Sequence, residues 1–160
     1  SQYGARNLAE LNIYQDLLFS AEPREQNWTN LYTQIRFTPA SWLRFELINL
    51  LNPETLTNRE TRAALTIIDG DKWALSMRTN YLKNTINQYE VNVAYKINER
   101  WNLENRTRFD VRKGELSEEV FSIKHRLTHS WQLEFQAAFY IGSTREDEFA
   151  LNLRANFLQF

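Results

Sequence analysis

The chain has 160 residues, 42% of them apolar and 24% charged, with a formal net charge of -1 and no cysteine. That is one domain's worth of chain, without the basic field that phosphate-backbone binding needs and without thiols for disulfides, Cys-ligated zinc or nucleophilic attack. No window approaches the roughly 18 consecutive apolar residues of a helical membrane span. Nor does Ser1 open a charged n-region and apolar h-region, as expected of a mature exported chain or of an excised piece.

Residues 6 to 20 alternate weakly, although Leu8, Leu11, Tyr14, Gln15 and Leu18 also fit a 3.6-residue period, so strand and helix both remain open there. Weak alternation also covers residues 28 to 37, 42 to 51, 59 to 68 and 73 to 82. The pattern then sharpens. Tyr89, Val91, Val93, Tyr95 and Ile97 alternate with Glu90, Asn92, Ala94 and Lys96, which places the two sets on opposite faces of a strand. Trp101, Leu103, Phe109 and Val111 alternate with Asn102, Glu104, Arg106, Arg108, Asp110 and Arg112. A weaker segment at 119 to 127 precedes two strong ones. Trp131, Leu133, Phe135, Ala137, Phe139 and Ile141 alternate with Gln132, Glu134 and Gln136, and Phe149 to Phe157 interleaves Leu151, Leu153 and Ala155 with Asn152, Arg154 and Asn156. The total is about ten antiparallel strands.

The connections predict a meander. Residues 38 to 41, 69 to 72, 98 to 100 and 128 to 130 read as short turns; Ala21 to Asn27, Asn52 to Asn58, Lys83 to Gln88, Lys113 to Glu118 and Ser143 to Asp147 read as longer polar loops. Long and short links then occupy opposite rims, with both chain ends on the short-turn side. Residues 1 to 160 form one domain, an all-β up-and-down barrel.

Alternation alone leaves open whether the apolar face points inward, as in a soluble lipid-binding barrel, or outward into a bilayer. Three features favour a transmembrane barrel. Trp42, Trp73, Trp101 and Trp131 each follow a short turn, as a membrane-interface girdle would. A strand of about 11 residues at about 3.3 Å each, tilted near 45°, spans roughly 26 Å, close to the apolar band of such barrels. The other parity carries Arg44, Glu46, Arg62, Arg78, Glu90, Lys96, Glu104, Arg106, Arg108, Asp110, Lys124, Arg126, Glu134 and Arg154, charges of both signs that a lumen can pair. The ending, Leu-Arg-Ala-Asn-Phe-Leu-Gln-Phe, is similar to the C-terminal signal read by the barrel-assembly machinery, with Phe157 and Phe160 as its aromatics. Phe160 lies on the opposite parity from Phe157, which calls for a bulge near Leu158 or for a Phe160 that does not face lipid.

Asn98-Glu-Arg-Trp-Asn-Leu103 leading to Arg108-Phe-Asp110, then His129-Ser-Trp-Gln-Leu-Glu134, then Arg145-Glu-Asp-Glu-Phe149 carry a family resemblance. Over the last two thirds of its length the chain resembles the C-terminal barrel part of the lipopolysaccharide-assembly (organic-solvent-tolerance) outer-membrane proteins. The resemblance implies a much larger barrel, joined to a periplasmic domain that receives lipopolysaccharide, plugged by a lipoprotein and able to open laterally between first and last strands. Residues 147 to 160 would be the strand beside that opening.

Catalytic machinery is sparse. His125 and His129 fall near the short-turn rim, away from the outer rim where an outer-membrane protease would activate water. Ser117, Ser122 and Ser143 have no Gly-x-Ser-x-Gly setting, and the acidic clusters Glu115 to Glu119 and Glu146 to Glu148 read as solvated loop charge rather than a cation site. The expectation is a non-enzymatic barrel in the outer membrane of a Gram-negative bacterium, without cofactor or metal. Its expected partners are outer-membrane lipids, the assembly machinery and, through the resemblance, lipopolysaccharide, and not nucleic acid. At ten strands its lumen would be narrow and largely occluded by side chains. A ten-stranded outer-membrane hydrolase and a soluble lipid-binding barrel are the alternatives.

Overall fold

The computed structural model of the chain describes residues 8–15, 30–141 and 148–157. They form ten antiparallel strands in one sheet: β1 (Ala9–Tyr14), β2 (Leu31–Ala40), β3 (Leu43–Asn52), β4 (Thr57–Asp69), β5 (Trp73–Leu82), β6 (Ile86–Lys96), β7 (Trp101–Asp110), β8 (Glu115–Arg126), β9 (Trp131–Tyr140) and β10 (Glu148–Phe157). Each strand pairs with its sequence neighbours, and the ladder ends on β1 and β10, which are not paired with each other among the described residues. β1 begins and β10 ends at one rim, here the tryptophan rim, where the chain turns at 41–42, 70–72, 97–100 and 127–130.

The period-two segments become strands as their alternation demands, and the described part of the ambiguous first segment is strand, not helix. The opposite rim departs from expectation. Residues 53–56, 83–85 and 111–114 are tight turns rather than long loops. Asn52 accepts backbone hydrogen bonds at its Oδ1 from Glu54 and Thr55, and Asp110 accepts them from Arg112 and Lys113. Residues beside these turns extend the strands: Thr57 and Asn58 open β4, Ile86 to Gln88 open β6, and Glu115 to Glu118 open β8. The contrast in loop length therefore fails at these three links. Residues 21 to 27 and 143 to 147 lie outside the described residues, as does Phe160.

Register shifts occur at three places, all near a rim: in β2 between Phe37 and Ala40, in β3–β4 at Leu50/Leu51, and in β7–β8 at Arg108/Phe109. Pro39, which has no N–H to give to a ladder, sits in the first of them. Between the shifts the two parities stay on their own faces across all ten strands.

Burial is inverted relative to a soluble domain. Among the described residues the buried ones are Asn52, at the end of β3, and Glu118, Val120, Ser122 and Ala138. The last four belong to the parity that carries the charges. Large apolar side chains of the other parity stand exposed, among them Met77, Val93, Ile123, Phe135 and Leu153. The burial of Glu118, Val120, Ser122 and Ala138 marks the charged face as concave, and it holds a cavity of about 530 Å³ lined from β5 to β10 by side chains that include Arg78, Glu104, Ser122 and Arg154.

Candidate functional site: the concave polar face

Following the pairing register straight across the sheet gives one row of residues: Glu10, Arg36, Glu46, Ala64, Arg78, Glu90, Arg108, Glu118, Tyr140 and finally Glu148. Charge alternates along it from β1 to β3 and again from β5 to β8, with Ala64 between the two stretches. Directly opposed residues of opposite sign attract and like signs repel, so this order suits a sheet. Every charged neighbour pair in the row is closed. Arg36 reaches Glu10 and Glu46, each at 3.2 Å. Glu90 holds Arg78 at 3.6 Å and Arg108 at 2.9 Å, and Glu118 takes Arg108 at 2.6 Å.

Glu118 is the centre of the stronger stretch. Its carboxylate also receives Arg106 at 2.6 Å, and its side chain is 9% exposed against 34% and 43% for the two arginines. Two guanidinium groups on one nearly buried carboxylate compensate a charge that could not otherwise stay desolvated. The bulge at Ser117, whose hydroxyl donates to the Arg108 carbonyl at 3.1 Å, brings Glu118 opposite Arg108.

All the charges predicted for the polar parity lie on this face, but they do different things. Lys124 donates to both oxygens of Glu104 at 2.6 Å. Arg62 pairs with Glu60 of its own strand. Lys96 reaches Asp71 at 2.6 Å and Glu99 at 3.1 Å at the tryptophan rim, and the hydrogen bond from Lys96 to Asp71, together with the lysine's charge, holds the Asp71 carboxyl below the usual carboxylate range. Asp110 serves the 111–114 turn as a cap instead of joining a salt bridge. Glu134 accepts from Asn156 at 3.5 Å, while Arg44, Arg126 and Arg154 make no salt bridge with another described residue. Sequence reasoning missed Glu10, Arg36 and Glu118. Glu118 was hidden because its acidic neighbourhood reads as a loop, although it shares parity with Val120, Ser122 and Lys124.

The convex face carries two aromatic belts. Trp73, Trp101 and Trp131 open their strands on this face, while Trp42 sits in the two-residue turn itself. Turn chemistry places two of them: Asn98 Oδ1 accepts from the backbone of Arg100 and Trp101, and Thr128 Oγ1 does the same for Ser130 and Trp131. Eight residues after each strand-opening tryptophan stands another aromatic of the same face, Tyr81, Phe109 or Phe139. The last strand runs the other way and repeats the interval with Phe149 and Phe157. Phe157 packs edge-on against Trp131 with ring centres 5.4 Å apart, and Phe149 lies 4.9 Å from Phe139. The sequence contained this second belt as a fixed eight-residue interval, which the tryptophan positions alone do not reveal.

His125 stacks on Trp101 at 3.9 Å on the convex face, and His129 lies in the exposed 127–130 turn, so neither faces a carboxylate pair across the cavity. Among the described residues no group of three metal-ligating side chains converges. No family model matches the chain, and no curated protein matches it in sequence.

Proposed function

We propose that the chain is an integral outer-membrane β-barrel whose concave face becomes a narrow lumen packed with ion pairs, and that its role is structural or in transport rather than catalytic. The inverted burial carries this reading: the charged parity holds the buried residues, Glu118 with its two arginines among them, while large apolar side chains of the other parity stand exposed. Water would make that arrangement costly at about 25 cal/mol per Å² of exposed apolar surface, and a hydrocarbon surround removes the cost. A soluble lipid-binding barrel needs the reverse, an apolar interior.

Two measures agree with the bilayer reading. The separations of the paired residues flanking the tryptophan-rim turns, Arg36–Glu46, Ala64–Arg78, Glu90–Arg108 and Glu118–Tyr140, are 10, 14, 18 and 22 residues. The row therefore climbs one residue per strand, and about 3.3 Å of rise for about 4.8 Å of strand spacing corresponds to a tilt of about 35°, in the range of closed barrels. At that tilt the eight-residue interval between the belts spans about 22 Å, near the ~25 Å apolar band of outer-membrane barrels.

The resemblance to lipopolysaccharide-assembly proteins supports a location in the outer membrane of a Gram-negative bacterium. It makes lipopolysaccharide, other outer-membrane lipids and the assembly machinery the partners to test. Its phrases 98–103 and 129–134 fall on the capped turns that present Trp101 and Trp131.

Refolding the purified chain into detergent micelles tests the reading. A β-rich, heat-modifiable species that aggregates without detergent is expected, and a folded β protein stable in plain buffer would refute it. In planar bilayers the ion-paired lumen predicts little steady conductance, which loss of the Glu118 charge should raise.

A further inference from the structure

The two ladder edges differ from the rest of the sheet in what their outward residues lack. Leu11 and Ile13 on β1 are 60% and 58% exposed, and Leu151 and Leu153 on β10 are 72% and 64%, against 37% for Trp101 and Leu103 in mid-sheet. Each edge strand also presents a line of backbone N–H and C=O groups that no hydrocarbon surround can satisfy. The edges have compatible directions, since β1 leaves the tryptophan rim and β10 returns to it.

From the stagger of the ladder we infer that β1 and β10 are each other's partners, in one particular register: Asn12 opposite Asn156 and Tyr14 opposite Arg154. This rests on the membrane-barrel reading above. A climb of one residue per strand amounts to about ten residues in one circuit of ten strands, the shear that a closed sheet must absorb at its seam. The row from Glu10 reaches β10 at Glu148. The residue that faces Glu10 across the seam therefore lies ten positions beyond Glu148. The strands being antiparallel, Asn12 then faces Asn156.

This register keeps both faces intact. On the convex side it sets Leu11 against Phe157 and Ile13 against Ala155. On the concave side two short amides meet, and the Arg154 guanidinium, without a salt bridge among the described residues, comes onto the Tyr14 ring, which is already stacked on Tyr32 at 4.3 Å. A cation over that aromatic pair is a favourable contact. Charge alone would choose differently, placing Glu10 against Arg154, but that needs a stagger of six, which the ladder does not have.

Cysteine pairs distinguish the possibilities, the chain having no native cysteine. Directly opposed strand residues lie close enough for a disulfide, whereas a slip of four residues does not allow one. Asn12→Cys with Asn156→Cys, oxidised in the micelle-refolded protein, should give an intramolecular cross-link in most molecules, seen as a faster-migrating monomer after denaturation. Glu10→Cys with Arg154→Cys should give almost none. The reverse preference would overturn the register. Cross-linked dimers at 12 and 156 would overturn closure within one chain, as would uncross-linked monomers in a preparation that is still heat-modifiable. Failure to fold in detergent at all, with the unsubstituted chain tested in parallel, would instead sink the membrane reading on which the seam depends.

Discussion

On the concave face Glu118 is 7% exposed and holds two arginines, while on the convex face Phe135 is 47% exposed and neighbours only other apolar side chains. The two positions sit on adjacent strands of one sheet and differ in the medium they are built for. The concave face stabilises through specific pairs, in which each partner depends on the others. The convex face has no salt bridge between described residues along its middle band, where Asn105 accepts a hydrogen bond from Thr107, and its contribution depends on the surroundings. A mutation's effect should thus reveal which medium each face meets.

The largest effect is expected midway between the belts. Met77 lies four residues from both Trp73 and Tyr81, and Met77→Arg should cost about 2–4 kcal/mol in urea unfolding of the lipid-refolded protein, the penalty for a cation at a bilayer midplane. On a soluble surface the same change would fall within about 0.5 kcal/mol, so a small value erases the contrast between the faces.

Next comes the pairing centre. Glu118→Gln leaves the Arg106 and Arg108 guanidinium groups on a neutral partner and should cost about 2 kcal/mol, less than for a fully buried pair because both arginines are partly exposed. Equal losses from Glu118→Gln and from Glu104→Gln would show that the Glu118 network is nothing more than a set of surface pairs.

The rims belong to neither face and should respond weakly. Leu56 holds φ at 51°, a left-handed conformation costly to a branched side chain, and is 75% exposed. Leu56→Gly should therefore stabilise by about 1 kcal/mol in the same urea titration, and a loss would mean that the leucine makes a contact worth its strain. Smallest of all is the Asp71–Lys96 pair. Because the Asp71 carboxyl sits below its ordinary range, its contribution is present above that range and is lost as pH falls through the folded value. Asp71→Asn should lower the melting temperature slightly at neutral pH and not at all in acid; a difference that persists in acid would refute the assignment.

Much of this organisation was legible in the sequence because a two-residue period fixes faces directly. Tyr89 to Ile97 and Trp131 to Ile141 could hardly be anything but strands, and the charges of the opposite parity landed together. The pairs themselves could not be read, since parity says that Arg108 and Glu118 share a face but not that a bulge at Ser117 sets them opposite each other. The far-rim loops were overestimated for a related reason. Asn58, Gln88 and Glu115 are polar because they lie on or beside a polar face, and polarity near a turn looks the same whether the residue is in the turn or in the strand. The edges lay beyond the sequence altogether, because stagger is a sum over all the hairpins.

The alternating row bears on how such a sheet could have grown. Remove β6 alone and Arg78 would face Arg108; remove β7 alone and Glu90 would face Glu118. Remove β6 and β7 together, and Arg78 would meet Glu118 with the signs still opposed. Within the β5–β8 stretch the charge order thus accepts the loss of the β6–β7 pair and penalises that of either strand alone. Across Ala64 the rule reverses, since losing β4 and β5 together would set Glu46 against Glu90, so a lineage that trims this sheet two strands at a time keeps its pairing grammar only where the alternation is unbroken.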